Sequence, residues 1–154
     1  MFFKNINKFH LFSRLKKLIF LHLQHLPVAG HIQRPMIVKW GGVNIDDPES
    51  TFIGEGVIFD SVHPENIYVE KGVRITMNSI ILTHYFEPQT NRYYNGNVRI
   101  KENAFLGANT IITKPVTVGK CSVVGAGSVV TKDIPDYEIW AGNPARFIKK
   151  IEHE

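Results

Sequence analysis

The stretch VRIKENAFLGANTIITKPVTVGKCSVVGAGSVVTKD, residues 98–133, decides the fold because it divides into six blocks of six residues. The third residue of every block is aliphatic, namely Ile100, Leu106, Ile112, Val118, Val124 and Val130. A period of six is a multiple of the two-residue period of a strand, so each aliphatic side chain is predicted to point inward from a short strand. Small residues and glycines then allow a sharp corner. Three strands and three corners make one coil, and stacked coils form parallel sheets.

The same spacing continues upstream with two interruptions. Ile53 and Phe59 are six residues apart, and the residues Val69, Ile75 and Ile81 keep that spacing. The first interruption lies around residues 63–66, and the second is the polar and aromatic segment THYFEPQTNRYYNGN, residues 83–97. A β-sandwich would need all six consecutive blocks to match by coincidence. We therefore predict an all-β parallel β-helix over residues 51–134, with a loop extruded at 84–97 and a lead-in segment at 31–50.

The N-terminal segment, residues 1–30, is predicted to be a basic amphipathic helix. Its apolar stripe repeats every three or four residues, at Phe2, Ile6, Phe9, Phe12, Leu15, Ile19, Leu23 and Leu26. Residues 1–45 contain seven Lys and Arg residues and no acid. Three roles remain open: packing on its own domain or on another subunit, contact of residues 1–26 with an anionic membrane surface, or a signal peptide.

Composition limits the other functional classes. The chain of 154 residues is 44% hydrophobic, which suits one globular domain. The net charge of +4 comes from the N-terminal end, and no nucleic-acid-binding motif is present, so no nucleic-acid partner is expected. The single Cys121 excludes an internal disulfide and fits either a reducing compartment or indifference to redox. The expected location is the cytoplasm, either free or peripheral on the inner face of the membrane. No Cys/His cluster has zinc spacing, so no metal is expected.

Two C-terminal motifs carry a resemblance to a known family. GAGSVVTKDIP at 125–135 and AGNPAR at 141–146, with the hexad repeat, resemble the hexapeptide-repeat acyltransferases over residues 51–150. The likeness is greatest to the maltose, galactoside and xenobiotic O-acetyltransferases and to capsular or lipopolysaccharide acetyltransferases. It implies a left-handed parallel β-helix with a short C-terminal helix in 135–154. It also implies a homotrimer with active sites between subunits and acetyl-CoA bound along the groove between neighbouring columns.

His84, at the start of the extruded loop, is the candidate general base. The family places a catalytic histidine at this point, which corresponds to ILTHYFEP at residues 81–88. Histidine suits the task because its ordinary pKa of about 6.5 is near neutrality. No Cys or Ser–His–acid arrangement accompanies it, so direct attack on the thioester is expected. Its second nitrogen is expected to be held by Glu87, Glu70 or a backbone carbonyl, and His63 is the rival base.

The resemblance also assigns substrate and coenzyme contacts by position. Asn78 matches an asparagine near the acceptor, although a structural corner residue is an equal interpretation. Phe105 stands where relatives have a tryptophan beside the thioester, and Tyr85 is expected to line the acceptor pocket. A backbone N–H near Gly107 and Ala108 is expected to bind the oxyanion. The predicted acetyl-CoA contacts are Gly107, Ala108, Gly125, Ala126, Thr131, Lys132 and Arg146.

The predicted activity is that of an acetyl-CoA-dependent O-acetyltransferase that modifies a saccharide hydroxyl, as in polysaccharide biosynthesis. An N-acetyltransferase acting on an amino sugar is one alternative. A non-catalytic β-helix scaffold, which binds partners through the basic helix, is another. A metal hydratase of the γ type is a weaker one, because it needs three well-placed histidine ligands across a subunit interface and His63 with His84 supplies at most two per chain.

Overall fold

The computed structural model describes residues 8–25 and 33–152. The helices are α1 (Lys8–Leu23), α2 (Gln33–Trp40) and the 3₁₀ helix η1 (Pro64–Asn66). The strands are β1 (Asn44–Ile45), β2 (Phe52–Ile53), β3 (Ile58–Phe59), β4 (Ile67–Val69), β5 (Arg74–Ile75), β6 (Ile80–Ile81), β7 (His84–Glu87), β8 (Arg92–Asn95), β9 (Val98–Ile100), β10 (Phe105–Leu106), β11 (Ile111–Ile112), β12 (Thr117–Val118), β13 (Val123–Val124), β14 (Val129–Val130), β15 (Glu138–Ala141) and β16 (Arg146–Lys150).

Three sheets of mostly parallel strands form a three-sided column. Sheet A has the order β1-β4-β9-β12, sheet B the order β16-β15-β13-β10-β5-β2, and sheet C the order β14-β11-β6-β3. The chain visits A, B and C in turn, so each circuit is one coil of a parallel β-helix, as predicted. We call the segments between sheets the A–B, B–C and C–A corners, according to the sheets that they join.

The predicted inward positions form the core of the column. All eleven are at most 4% exposed, namely Ile53, Phe59, Val69, Ile75, Ile81, Ile100, Leu106, Ile112, Val118, Val124 and Val130. The small first residues of the blocks are buried as well, and their hydroxyls are satisfied. Ser122 donates to the carbonyl of Gly119 and Ser128 to that of Gly125, each at 2.6 Å. The hexad prediction is therefore confirmed residue by residue.

The A–B and B–C corners share one backbone device. Each of these corners after the first A–B corner, residues 46–51, contains a residue in the left-handed region, namely Gly56, Gly72, Asn78, Asn103, Asn109, Cys121, Gly127 and Tyr137. A left-handed residue turns the chain sharply, which suits glycine and asparagine. Successive coils also approach closely here, because a Cβ added to Gly107 would collide with the backbone nitrogen of Ala126.

Both interruptions of the repeat lie at the C–A corner, in successive coils. The first contains η1, between β3 and β4, and the second contains β7 and β8, between β6 and β9. The expected extruded loop is an antiparallel hairpin in which His84 pairs with Asn95. The sequence thus reserves one edge of the column for its irregular segments.

The two ends of the column differ from the sequence predictions. The first strand, β1, lies within the expected lead-in segment 31–50 and pairs with β4. Helix α2 covers this end with its buried residues Pro35 and Val38. At the other end, the short C-terminal helix that we predicted is wrong. There, β15 extends sheet B, the chain reverses at Gly142 (φ 102°), and β16 returns antiparallel to β15.

The N-terminal amphipathic helix is confirmed over the residues that the structure describes. Phe2, Ile6 and Leu26 of the predicted stripe lie outside them. Helix α1 packs on the column through Leu21, which is 5% exposed, rather than through the stripe. Neither α1 nor α2 is long and apolar enough to cross a bilayer.

Candidate active site

A buried carboxylate, Asp60, lies at the centre of the C–A corner. It directly follows the inward residue Phe59 on β3. The parallel register pairs Phe59 with Ile81, so Asp60 comes alongside the residues that follow β6. The Asp60 side chain is 1% exposed. A buried carboxylate requires strong hydrogen-bond donors, and the chain supplies them from both interruptions.

Asp60 joins the starts of the two interruptions. Its Oδ2 accepts hydrogen bonds from the Nδ1 of His84 at 2.6 Å, from the hydroxyl of Thr83 at 2.6 Å and from the Thr83 N–H at 2.9 Å. Its Oδ1 accepts from the backbone N–H of Val62 at 2.9 Å and from that of His63 at 3.4 Å. One carboxylate therefore fixes both segments in position.

These donors keep Asp60 ionised. Burial acts to raise the pKa of Asp60, but the hydrogen bonds from Thr83, Val62 and His84 outweigh it and lower the pKa to about 2. An ionised carboxylate only accepts hydrogen bonds, so the hydrogen between the two side chains resides on Nδ1 of His84. In the neutral ring, Nε2 then holds the free lone pair, which is the state that a general base requires.

The predicted partners of His84 are wrong, since neither Glu70 nor Glu87 contacts its Nδ1. Glu70 instead accepts the backbone N–H of Glu102 at 2.9 Å, within an A–B corner. Glu87 lies on β7, opposite Arg92 in the hairpin. Asp60 could have been found from the register of the coils. If both interruptions occupy the same corner, the residue that follows Phe59 stacks beside the residues that precede His84.

A cavity of about 360 Å³ opens beside His84. It is lined by Val62, His63, His84, Tyr93, Tyr94 and Asn95. The rings of Tyr85 and Tyr94 stack with centroids 5.4 Å apart, which stiffens the hairpin wall. The cavity therefore offers two imidazoles and aromatic faces to a ligand. His63, predicted only as a rival base, lies on the same cavity as His84.

His63 is supported from outside the cavity. Its Nδ1 lies 3.5 Å from Oε1 of Glu65, and Lys17 of α1 donates to the other carboxylate oxygen at 2.7 Å. Burial acts to raise the pKa of Glu65, but the hydrogen bond from Lys17 outweighs it, and the pKa is lowered. Glu65 is thus a carboxylate that holds η1, and the imidazole beside it, against the N-terminal helix.

The other predicted site residues fall on two edges of the column. Tyr85, Thr131 and Lys132 share the C–A edge with His84, whereas the B–C edge carries Asn78, Gly107, Ala108, Gly125 and Ala126. Phe105 lies on the outer face of β10, and Arg146 is exposed on β16. A single chain therefore does not bring the predicted base and the Gly-Ala corners together.

Asn78 has the geometry of a corner residue. Its φ is 58°, and its side-chain oxygen lies over the position that a Cβ on Gly56 would occupy. Asn103 makes the same contact over Gly72 in the next coil, at a different corner. This shared arrangement supports the architectural interpretation of Asn78.

The two candidate oxyanion donors on the B–C edge, the backbone N–H groups of Gly107 and Ala108, differ in their hydrogen bonds. The N–H of Gly107 donates to the carbonyl of Val124 at 2.8 Å, so it is committed to the stacking of the coils. Within residues 8–25 and 33–152, the N–H of Ala108 has no acceptor. Further along the column, the Lys132 ammonium lies 5.0 Å over the ring of Trp140.

The described ranges contain no group of three or more His, Cys, Asp and Glu side chains arranged to hold a metal ion. Asp60 and His84 form a pair at the C–A corner, and the direct bond between them occupies Nδ1 of the imidazole.

Comparison with known sequences identifies relatives of this chain. The model of the family "hexapeptide repeat of succinyl-transferase" matches residues 97–132. The galactoside O-acetyltransferase of Lactococcus lactis is 34% identical over 137 residues, which are 78% of this chain and 59% of that protein. The chain thus spans about three fifths of the length of this curated relative.

Solved structures share the fold along nearly the whole chain. The maltose O-acetyltransferase from Clostridium difficile 630 is 25% identical, with a TM-score of 0.64 over 96% of this chain and 90% of that one. A galactoside acetyltransferase in complex with coenzyme A is 22% identical, with a TM-score of 0.67 over 97% and 86%. The fold is accordingly the left-handed parallel β-helix that the family resemblance implies.

Proposed function

We propose that this chain transfers the acetyl group of acetyl-CoA to a hydroxyl of a saccharide. The proposal starts from its membership of the hexapeptide-repeat acyltransferases. The observation that carries this proposal is the buried Asp60, which orients His84 at the mouth of an aromatic cavity. The curated relative and one structural neighbour are named for O-acetylation of galactosides and maltose, and another neighbour was solved with coenzyme A. These names support the same acceptor class and the same donor for this chain.

The proposed reaction begins with His84. Nε2 takes the proton of the acceptor hydroxyl while the oxygen attacks the thioester carbonyl of acetyl-CoA. Asp60 holds the imidazole in the required tautomer and stabilises the imidazolium that forms. The tetrahedral intermediate then expels the thiolate of coenzyme A, which takes the proton from His84. The products are the acetyl ester and free coenzyme A, so every atom and proton is accounted for.

The B–C edge is proposed to bind the donor. Ala108 supplies a free backbone N–H, and the glycines at 107 and 125 keep the corners narrow enough for an extended chain to lie beside them. Thr131, Lys132 and Arg146 are proposed to contact the adenine and phosphate end. Lys132 and Arg146 are exposed cations, which suit phosphate groups.

A homotrimer is proposed because the base and the donor edge lie on different edges of one column. A neighbouring copy that placed its B–C edge against the C–A edge of the first would complete the groove. A mixing experiment tests this arrangement. Trimers that combine His84→Ala chains with Ala126→Trp chains should regain acetyl transfer, because some grooves then contain an intact histidine and an intact corner. Failure of mixed trimers to recover would place each site within one chain.

The activity itself is tested by an acceptor screen. The full chain is incubated with acetyl-CoA and either methyl galactoside, maltose or glucosamine, and free thiol is measured together with the mass of the product. We expect thiol release coupled to an acetyl ester on a sugar hydroxyl. An amide on glucosamine alone would favour the N-acetyl alternative. Absence of acceptor-dependent thiol release and of coenzyme A binding would favour the scaffold alternative.

A further inference from the structure

Helix α1 uses only one of its faces to pack on the column. Leu21 is buried and lies against Gly41, and Gln24 is 2% exposed. Lys17, on the same face, reaches Glu65 of η1 with its ammonium. These three residues are spaced by three and four positions, so they form one stripe along the helix. The apolar stripe of the sequence lies on the opposite side.

The opposite face of α1 is apolar and exposed. Phe12, Leu15 and Ile19 are 73%, 52% and 49% exposed, although they repeat with helical spacing. Together with Phe20 and the stem of Lys16, they line a shallow groove. Water-facing stripes of this kind are uncommon on a protein without a partner, because they leave large apolar side chains solvated.

The exposed face continues onto α2. Phe20 meets Trp40 edge to face, with ring centroids 5.7 Å apart, and this contact joins the two helices. Met36 and Trp40 are themselves 39% and 54% exposed. The outward face, which we define as Phe12, Leu15, Ile19, Met36 and Trp40, is therefore a surface of two helices rather than one isolated stripe.

Charge identifies the kind of partner that this surface fits. Arg14 and Lys16 are exposed on α1, Lys39 is exposed on α2, and the chain has no acid before Asp46. A second copy that packed the same face against this one would bring like charges together at the rim, which opposes self-association. An anionic lipid surface instead accepts apolar side chains between its headgroups and cations beside its phosphates.

We propose that the outward face of α1 and α2 docks on an anionic lipid bilayer, with α1 lying in the plane of the headgroups. A helix of 16 residues is about 24 Å long, which is shorter than the hydrocarbon core but sufficient for an in-plane anchor. The contact holds the enzyme at a surface while leaving the packed face of α1, with Lys17 and Glu65, attached to η1.

Vesicle co-sedimentation of the full chain tests the proposal. Vesicles of phosphatidylcholine alone are compared with vesicles that also contain phosphatidylglycerol. We expect binding to the anionic vesicles only, weakened by added salt. The double variant Phe12→Ser/Ile19→Ser should bind roughly tenfold more weakly or worse. Ile148→Ser, which removes a similarly exposed isoleucine on β16, is the matched control and should bind as the wild type does.

The outcomes are decisive in either direction. Failure of the wild type to bind anionic vesicles overturns the proposal, and so does equal binding by the double variant. The assembly mass of the double variant, measured by sedimentation without lipid, tests whether the outward face instead covers a second copy of the chain. A lower assembly mass than that of the wild type would show that the face covers a second copy of the chain, which also overturns lipid docking. A normal mass and a normal thermal midpoint show that the variant is folded.

Discussion

The regular corners and the C–A corner of the column follow different rules. After the first A–B corner, residues 46–51, every A–B and B–C corner has a left-handed residue, and even Cys121 and Tyr137 adopt that conformation. The C–A corner instead carries η1 and the β7–β8 hairpin, and there a left-handed residue, Asn91 (φ 52°), serves the turn of the hairpin rather than the turn of the column. The stacking of coils fixes two edges of the column and leaves the third edge free to vary. We therefore expect substitution of His84 or Asp60 at the C–A edge to act first on catalysis, whereas a Cβ added to a corner glycine of the B–C edge acts first on stability.

The largest effect is expected at His84. His84→Ala should lower acetyl transfer by about 10²- to 10⁴-fold, because the hydroxyl proton loses its acceptor. Coenzyme A binding, measured by calorimetry, should stay near the wild-type value, because the donor edge is separate. His63→Ala is the matched control, since it removes the other imidazole of the same cavity and should cost far less. Near-normal turnover of the His84 variant would contradict the assignment of the base.

Asp60→Asn comes next. The amide would present an N–H to Nδ1, which favours the other tautomer and leaves Nε2 protonated. We expect kcat to fall by roughly 10²-fold, with little change in coenzyme A affinity and an altered pH profile of kcat. Asp133→Asn is the control, because Asp133 also lies at a C–A corner and accepts a backbone N–H, that of Thr117. Equal losses in the two variants would mean that Asp60 acts only through stability.

Two glycines of the B–C edge test the regular corners. Gly107→Ala should lower the free energy of unfolding by about 2 to 3 kcal/mol, because the new Cβ collides with the backbone of Ala126, which has no rotamer to change. Gly127→Ala should cost only about 1 kcal/mol, the strain of a left-handed alanine, because no atom lies within 4 Å of its Cβ. Urea unfolding measures both, and the reverse order would contradict the stacking argument.

Acid unfolding reports on Asp60 in the wild type. Its pKa in the folded state is about 2, below the ordinary value of 3.8. The contribution of ionised Asp60 to the free energy of unfolding is therefore complete above about pH 4 and is lost as the pH falls through about 2. The free energy of unfolding changes by about 2 kcal/mol over this range. The free energy of unfolding of Asp60→Asn should lack this part of the acid decline. An identical acid dependence in both proteins would show that the carboxylate is not held by these donors.

The column itself was predictable from the sequence, because the same stacking contacts recur in every coil. Each of the eleven inward positions from Ile53 to Val130 must be apolar because its side chain is buried in the column. The repeated pattern therefore predicts the column. Asp60 has no such repetition. Its role depends on the register between two interruptions of different length, which the hexads do not specify. The short C-terminal helix was an expectation of the resemblance and not of the repeat; the last inward position of the hexads is Val130, and β15, which stacks on β13, lies beyond them.

For the N-terminal helix, the sequence predicted the element correctly but not the face that it buries. The periodicity predicted a helix correctly, but periodicity does not tell which face a helix buries. Leu21 and Gln24 are buried although they lie off the main stripe, and Phe12 is exposed although it lies on it. The packing of α1 is set by the shape of Gly41 and by the carboxylate of Glu65, both far from α1 in sequence.

The covered ends of the column have a consequence for solubility. A stack of parallel strands that ended bare would offer free N–H and C=O groups to another stack, as the tip of a growing amyloid fibril does. Here α2 closes the first coil, and β16 gives sheet B an outer strand that runs in the opposite direction and carries the exposed Lys149 and Lys150. The repeat is thereby kept from polymerising end to end, and a chain truncated after Ile134 should form filaments.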